Sequence, residues 1–98
     1  SMALSEVSFT SDSGTELEFE PVFSEKTRMY TLTVPADVES ITADMTSGYA
    51  DGNTFYVNGE VTDSPAKITA QKNNARGMRR EGNEACRIHL QNIQTTGF

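Results

Sequence analysis

The stretch "MYTLTVPADVESITADM" (residues 29–45) decides how this chain is to be read. Tyr30, Leu32 and Val34 alternate with threonines, and Ile41, Ala43 and Met45 alternate with polar neighbours. A period of two means extended backbone with one face in a core and one in water. Pro35 closes the first run, because proline cannot donate to a ladder.

The same period recurs on both sides of that stretch. Val7 and Phe9 alternate, as do Leu17 and Phe19 between Glu16, Glu18 and Glu20. Phe55 and Val57 follow, then Ile68 and Ala70, then Cys86, Ile88 and Leu90. Turn chemistry separates the runs: "SDSG" (11–14), Pro21, "SGYADGN" (47–53) and "TDSP" (62–65). Asn58-Gly59 has the chemistry of a type I′ hairpin, since both residues tolerate positive φ. No segment carries an amphipathic helical stripe, and no internal repeat appears. About seven short strands with turns at this spacing predict an all-β chain, an antiparallel β-sandwich.

The totals bound this reading. Ninety-eight residues make one domain, here residues 4–98, with Ser1 to Ala3 read as a cloning scar or flexible start. No apolar run approaches the about 20 residues a membrane-spanning helix needs. Residues 1–10 lack the charged start and apolar run of a secretory signal, which decides little in an excised domain. The single cysteine, Cys86, allows neither an internal disulfide nor a multi-cysteine zinc site, and its alternation with Ile88 and Leu90 makes it a small core residue. The formal net charge of −6 argues against general nucleic-acid affinity. That charge is uneven: the acidic residues crowd the first two thirds, and the last third is basic.

The order of residues resembles a known family. Leu4, Ser13, Gly14, Leu17, Phe19, Pro21, Phe23, Tyr30, Leu32, Val34 and Pro35, with a later Val57-Asn58-Gly59 turn, resemble the cadherin-like β-sandwich domain, a bacterial immunoglobulin-like family. The resemblance covers about the first 60 residues well. It implies an immunoglobulin-like sandwich. It also implies a secreted or cell-surface module within a larger protein, serving as spacer, adhesion or accessory domain. The last third departs: "ARGMRR" (75–80) reads as a poor strand, and Cys86 stands where the family has a tyrosine. Family motifs of this kind are core and turn residues, so they speak to fold rather than activity.

Candidate chemistry is sparse. His89 falls on the opposite face to Ile88 and Leu90, and no motif places a nucleophile and an orienting group beside it, so no enzyme and no cofactor are expected. Glu16, Glu18 and Glu20 lie about 6.6 Å apart in successive pairs on a strand, too far to share one ion without loop ligands. They read instead as a charged outer face that discourages edge pairing. "DGN" (51–53) reads as turn chemistry. Lys72, Arg76, Arg79, Arg80 and Arg87 form a basic group in "KNNARGMRREGNEACR" (72–87). It could dock an acidic protein face or an anionic glycan, neutralise the domain's own acidic sheet, or be a mobile hairpin broken by Gly77 and Gly82. No aromatic residue interleaves with these arginines, which disfavours nucleic acid. Tyr49 and Tyr56 are the candidates for exposed rings that stack on a glycan. The expected partners are other domains of the parent protein or a surface protein, or a glycan in the alternative reading.

Overall fold

The computed structural model describes residues 4–70, 78–81 and 85–98. Among them are ten strands: β1 (Leu4–Ser11), β2 (Glu18–Glu20), β3 (Tyr30–Pro35), β4 (Ser40–Ser47), β5 (Thr54–Val57), β6 (Glu60–Thr62), β7 (Ala66–Thr69), β8 (Met78–Glu81), β9 (Ala85–Leu90) and β10 (Gln94–Thr96). They form antiparallel sheets in the orders β1-β4-β7, β2-β3-β9-β8 and β10-β5-β6. The seven strands expected from alternation are β1, β2, β3, β4, β5, β7 and β9. The count of about seven is corrected by β6, β8 and β10, which lack alternating apolar residues.

The two larger sheets meet through large rings. Phe9 of β1 stands edge-on to Phe19 of β2, with centroids 5.2 Å apart, and lies 6.4 Å from Tyr30 of β3. Phe19 and Tyr30 are also edge-to-face at 5.4 Å. One core holds Phe9, Tyr30, Leu32, Val34, Ile41, Cys86, Leu90 and Ile93, with Phe19, Phe23, Phe55 and Ile68 packed at its margin. The inward residues are those that the period of two selected. In β4 the burial alternates along Ile41, Ala43 and Met45, while Asp44 and Thr46 are exposed.

The turns follow their residue types. Gly14 takes φ 90°, and its N–H donates to the Ser11 carbonyl at 2.9 Å. The Ser11 hydroxyl, buried, accepts from the Thr15 N–H at 3.1 Å. Asn58 and Gly59 take φ 56° and 80°, and Val57 pairs with Glu60 across them, as a type I′ hairpin requires. The tip of that hairpin is sewn to the end of β9: the Asn58 N–H donates to the Gln91 carbonyl at 2.6 Å, and the Gln91 N–H donates to Asn58 Oδ1 at 2.9 Å.

Of "ARGMRR", read as a poor strand, residues 75–77 lie outside the described residues; Met78–Glu81 pairs along β9, with Met78 opposite Ile88 and Glu81 opposite Ala85. A weak strand sequence forms where a neighbouring edge supplies the ladder.

Candidate interaction surfaces

The outer face of the β2-β3-β9-β8 sheet carries Glu18, Glu20, Arg87 and His89 of the residues that the sequence reading singled out. Its register sets them in rows. Glu18 faces Thr33, Thr33 faces Arg87, and Arg87 faces Arg79. One row on, Glu20 faces Thr31 and Thr31 faces His89. Glu18, Glu20, Thr33, Arg87 and His89 are exposed. The face is therefore acidic at β2 and carries the Arg87 cation on β9.

His89 lies on this outer face, with Nδ1 2.9 Å from the Thr31 hydroxyl in a hydrogen bond. A hydroxyl partner on a flat sheet surface orients the ring but supplies neither a carboxylate to hold it as a base nor a cleft to exclude water. Cys86 is buried in the core, where a thiol is shielded from solvent reagents.

Of the basic group, Lys72 and Arg76 lie outside the described residues, as do the side chains of Arg79 and Arg80. The backbone register sets position 79 opposite Arg87 and position 80 opposite Cys86. Arg87 is exposed on β9.

The two tyrosines are less open than expected. Tyr49 and Tyr56 are both half-buried. Tyr56 sits in the middle strand of the small sheet, flanked by Gln94 and Val61. Tyr49 lies under the C-terminal segment, where a side chain on Gly97 would come within 2.9 Å of its Cβ. The sequence reading contained neither the β10 strand beside Tyr56 nor the approach of Gly97 to Tyr49.

Three carboxylates, Glu6, Glu16 and Asp44, line a shallow depression with Ser8 and Thr46 on the outer side of β1 and β4. Among the described residues, no three acidic, histidine or cysteine side chains are placed to hold a metal ion. A second depression runs along β2, lined by Glu16, Leu17, Glu18, Phe19, Val22 and Phe23. Val22, 83% exposed, is the apolar residue of that groove that the core leaves outside. Sequence reading missed it because Val22 belongs to no alternating run.

Comparison with protein families decides the class. The profile of the family described as "Cadherin-like beta sandwich domain" matches residues 4–91. The chain belongs to this family. The match takes in β1 through β9, including the β8–β9 pair where the sequence departed from the family's pattern. β10 lies beyond the matched residues. Comparison with curated proteins and with solved structures returned no match. A cadherin-like sandwich is an interaction or spacer module, generally without catalytic activity. No helix among the described residues is long and apolar enough to cross a membrane.

Proposed function

We propose that this domain is a non-catalytic spacer or protein-contact module of an extracellular or cell-surface protein. The observation that carries this reading is the family match over residues 4–91, on a fold whose motifs are core and turn residues. The surface it offers a partner is the exposed polar face of β2, β3 and β9, with Glu18, Glu20, Thr33, Arg87 and His89.

Deletion of residues 4–98 from the parent protein, closed with a short Gly-Ser linker, tests the proposal. Partner binding by the parent should fall while the neighbouring domains keep their melting temperatures. Unchanged binding and unchanged surface display would refute it. The glycan-binding alternative, through Tyr49, Tyr56 and the arginines, predicts saccharide signals on a glycan array that Tyr49→Ala abolishes. The half-buried setting of both rings favours the protein-contact reading.

A further inference from the structure

The groove along β2 combines an apolar surface, two carboxylates and the edge of a sheet. Leu17, Phe19, Val22 and Phe23 supply the apolar surface, and Glu16 and Glu18 line it with them. Leu17 is buried and Phe19 and Phe23 are half-buried, whereas Val22, Glu16 and Glu18 are exposed. Among the described residues, β2 has β3 as its neighbour on one side and none on the other.

The backbone beside the groove has hydrogen-bonding groups to offer. The Leu17 N–H donates to the Phe9 carbonyl of β1 at 2.8 Å, next to the bridge between Thr10 and Glu16. In an extended chain the N–H groups of alternate residues point to the same side. The Phe19 N–H and carbonyl therefore point with those of Leu17, away from β3, while those of Glu18 and Glu20 serve the ladder to Thr33 and Thr31. An extended segment laid along β2 would pair with the Phe19 backbone and continue the pleat. Its residues beside Glu18 and Glu20 would share their exposed face, and the residue between them would share the face on which Phe19 meets the core rings. Opposite charges and apolar pairs are the favourable cross-strand neighbours. The strand Glu-Phe-Glu is thus complementary to basic-apolar-basic.

From this we infer that the β2 edge docks an extended peptide segment of a partner protein in which basic and apolar residues alternate. The inference rests on the reading of this chain as a protein-contact module and names the chemistry of the partner. Charge selects the occupant: the charged residues that line the groove are both carboxylates, and a second copy laid β2 to β2 would set glutamate against glutamate. Short, charged edge strands commonly serve to prevent edge pairing. Protection accounts for the glutamates but not for Val22, which stands exposed beside two half-buried rings. β2 is three residues long, so the contact is small and weak, with a dissociation constant on the order of 0.1–1 mM.

Amide NMR of the isotope-labelled 98-residue chain, titrated with the peptide Gly-Lys-Val-Lys-Val-Lys-Gly to about 2 mM, is the test. Shifts should centre on residues 16–23, the Phe19 amide should exchange more slowly, and affinity should fall as salt is raised. Glu18→Lys should weaken binding about ten-fold and Val22→Ser about three-fold, with the melting temperature kept because both side chains are exposed. Glu60→Lys makes the same change of net charge on the β5–β6 hairpin and should leave affinity within about two-fold. Absence of shifts in 16–23 at the highest concentration overturns the inference, as does equal loss in the Glu60→Lys and Glu18→Lys proteins. Equal binding of Gly-Glu-Val-Glu-Val-Glu-Gly overturns the charge rule, and equal binding of Gly-Lys-Ser-Lys-Ser-Lys-Gly overturns the apolar one; either sinks the inference without any variant. A peptide that fails to bind, beside a parent protein that loses partner binding on deletion, refutes the inference alone and leaves the proposed function standing.

Discussion

Tyr30 shows how much one residue integrates in this fold. Its ring has no exposed surface, yet its hydroxyl reaches the rim of the core. There it donates to the Ser24 carbonyl at 3.2 Å and accepts from the Ser24 N–H at 3.4 Å. Tyr30→Phe keeps the ring and removes the bonds. Ser24 is exposed, so water can replace them, and a loss of about 1 kcal/mol in urea unfolding is expected. Phe9→Ala removes a fully buried ring from the contact between the sheets and should cost about 3–5 kcal/mol, a large share of the stability of a domain this size. A Phe9→Ala variant within 1 kcal/mol of wild type, with the 1 an order-of-magnitude threshold of about RT ln 5, would mean the ring cluster does not hold the sheets together. Both positions were legible as core in the sequence, because Tyr30 and Phe9 stand in phase with their alternating neighbours. The partner of the Tyr30 hydroxyl was not, since no periodicity marks a backbone group in a loop.

At the scale of the element, β10 is the addition that sequence reading did not contain. "QTT" has no apolar residue to alternate, but the strand forms because β5 offers an edge and because two flanking residues anchor it. Ile93, before it, is 1% exposed, and its N–H donates to the Arg28 carbonyl at 3.0 Å. Thr95 is buried, and its hydroxyl donates to the Thr54 carbonyl at 2.9 Å, so burial leaves no polar atom stranded. After it, Gly97 lies where a Cβ would come within 2.8 Å of the Asp51 carbonyl oxygen and 2.9 Å of Asn53 Oδ1. Gly97→Ala should therefore lift the C-terminal segment from the 49–53 loop. Amide exchange at Ala50 and Asp51 should accelerate about ten-fold or more while β3 and β9 stay protected. Unaltered exchange at those amides would show that the loop holds its shape without Phe98. Ile93→Ala reaches deeper, into the common core, and should cost about 2–4 kcal/mol of global stability.

For the whole molecule, a single core joins all three sheets: Val57 of β5 and Ile93 before β10 belong to the same cluster as Phe9 and Tyr30. The small sheet should therefore unfold with the sandwich rather than before it. Tyrosine fluorescence and far-ultraviolet circular dichroism should trace one denaturant transition; two separated transitions would divide the molecule. The meeting of the chain ends is checked by a distance measurement between spin labels at Ser5→Cys and Thr96→Cys, both exposed positions. The separation should fall well short of the 44 Å long axis. A separation near that length would mean that Leu4 and Phe98 do not both meet residues 47–51.

The sequence by itself determined the strand class, the inward residues of seven strands and the places of the turns, because each is a local matter. Side chains alternate with the pleat whatever the strand pairs with, and Gly14, Asn58 and Gly59 state their φ preference in place. Tertiary structure alone decided the rest. β6, β8 and β10 exist because a neighbour's edge supplies their hydrogen bonds, not because their own residues demand extension. The setting of His89 beside Thr31 and of Tyr56 between Gln94 and Val61 depends on register. Register is a relation between segments far apart in the chain, and no single segment records it.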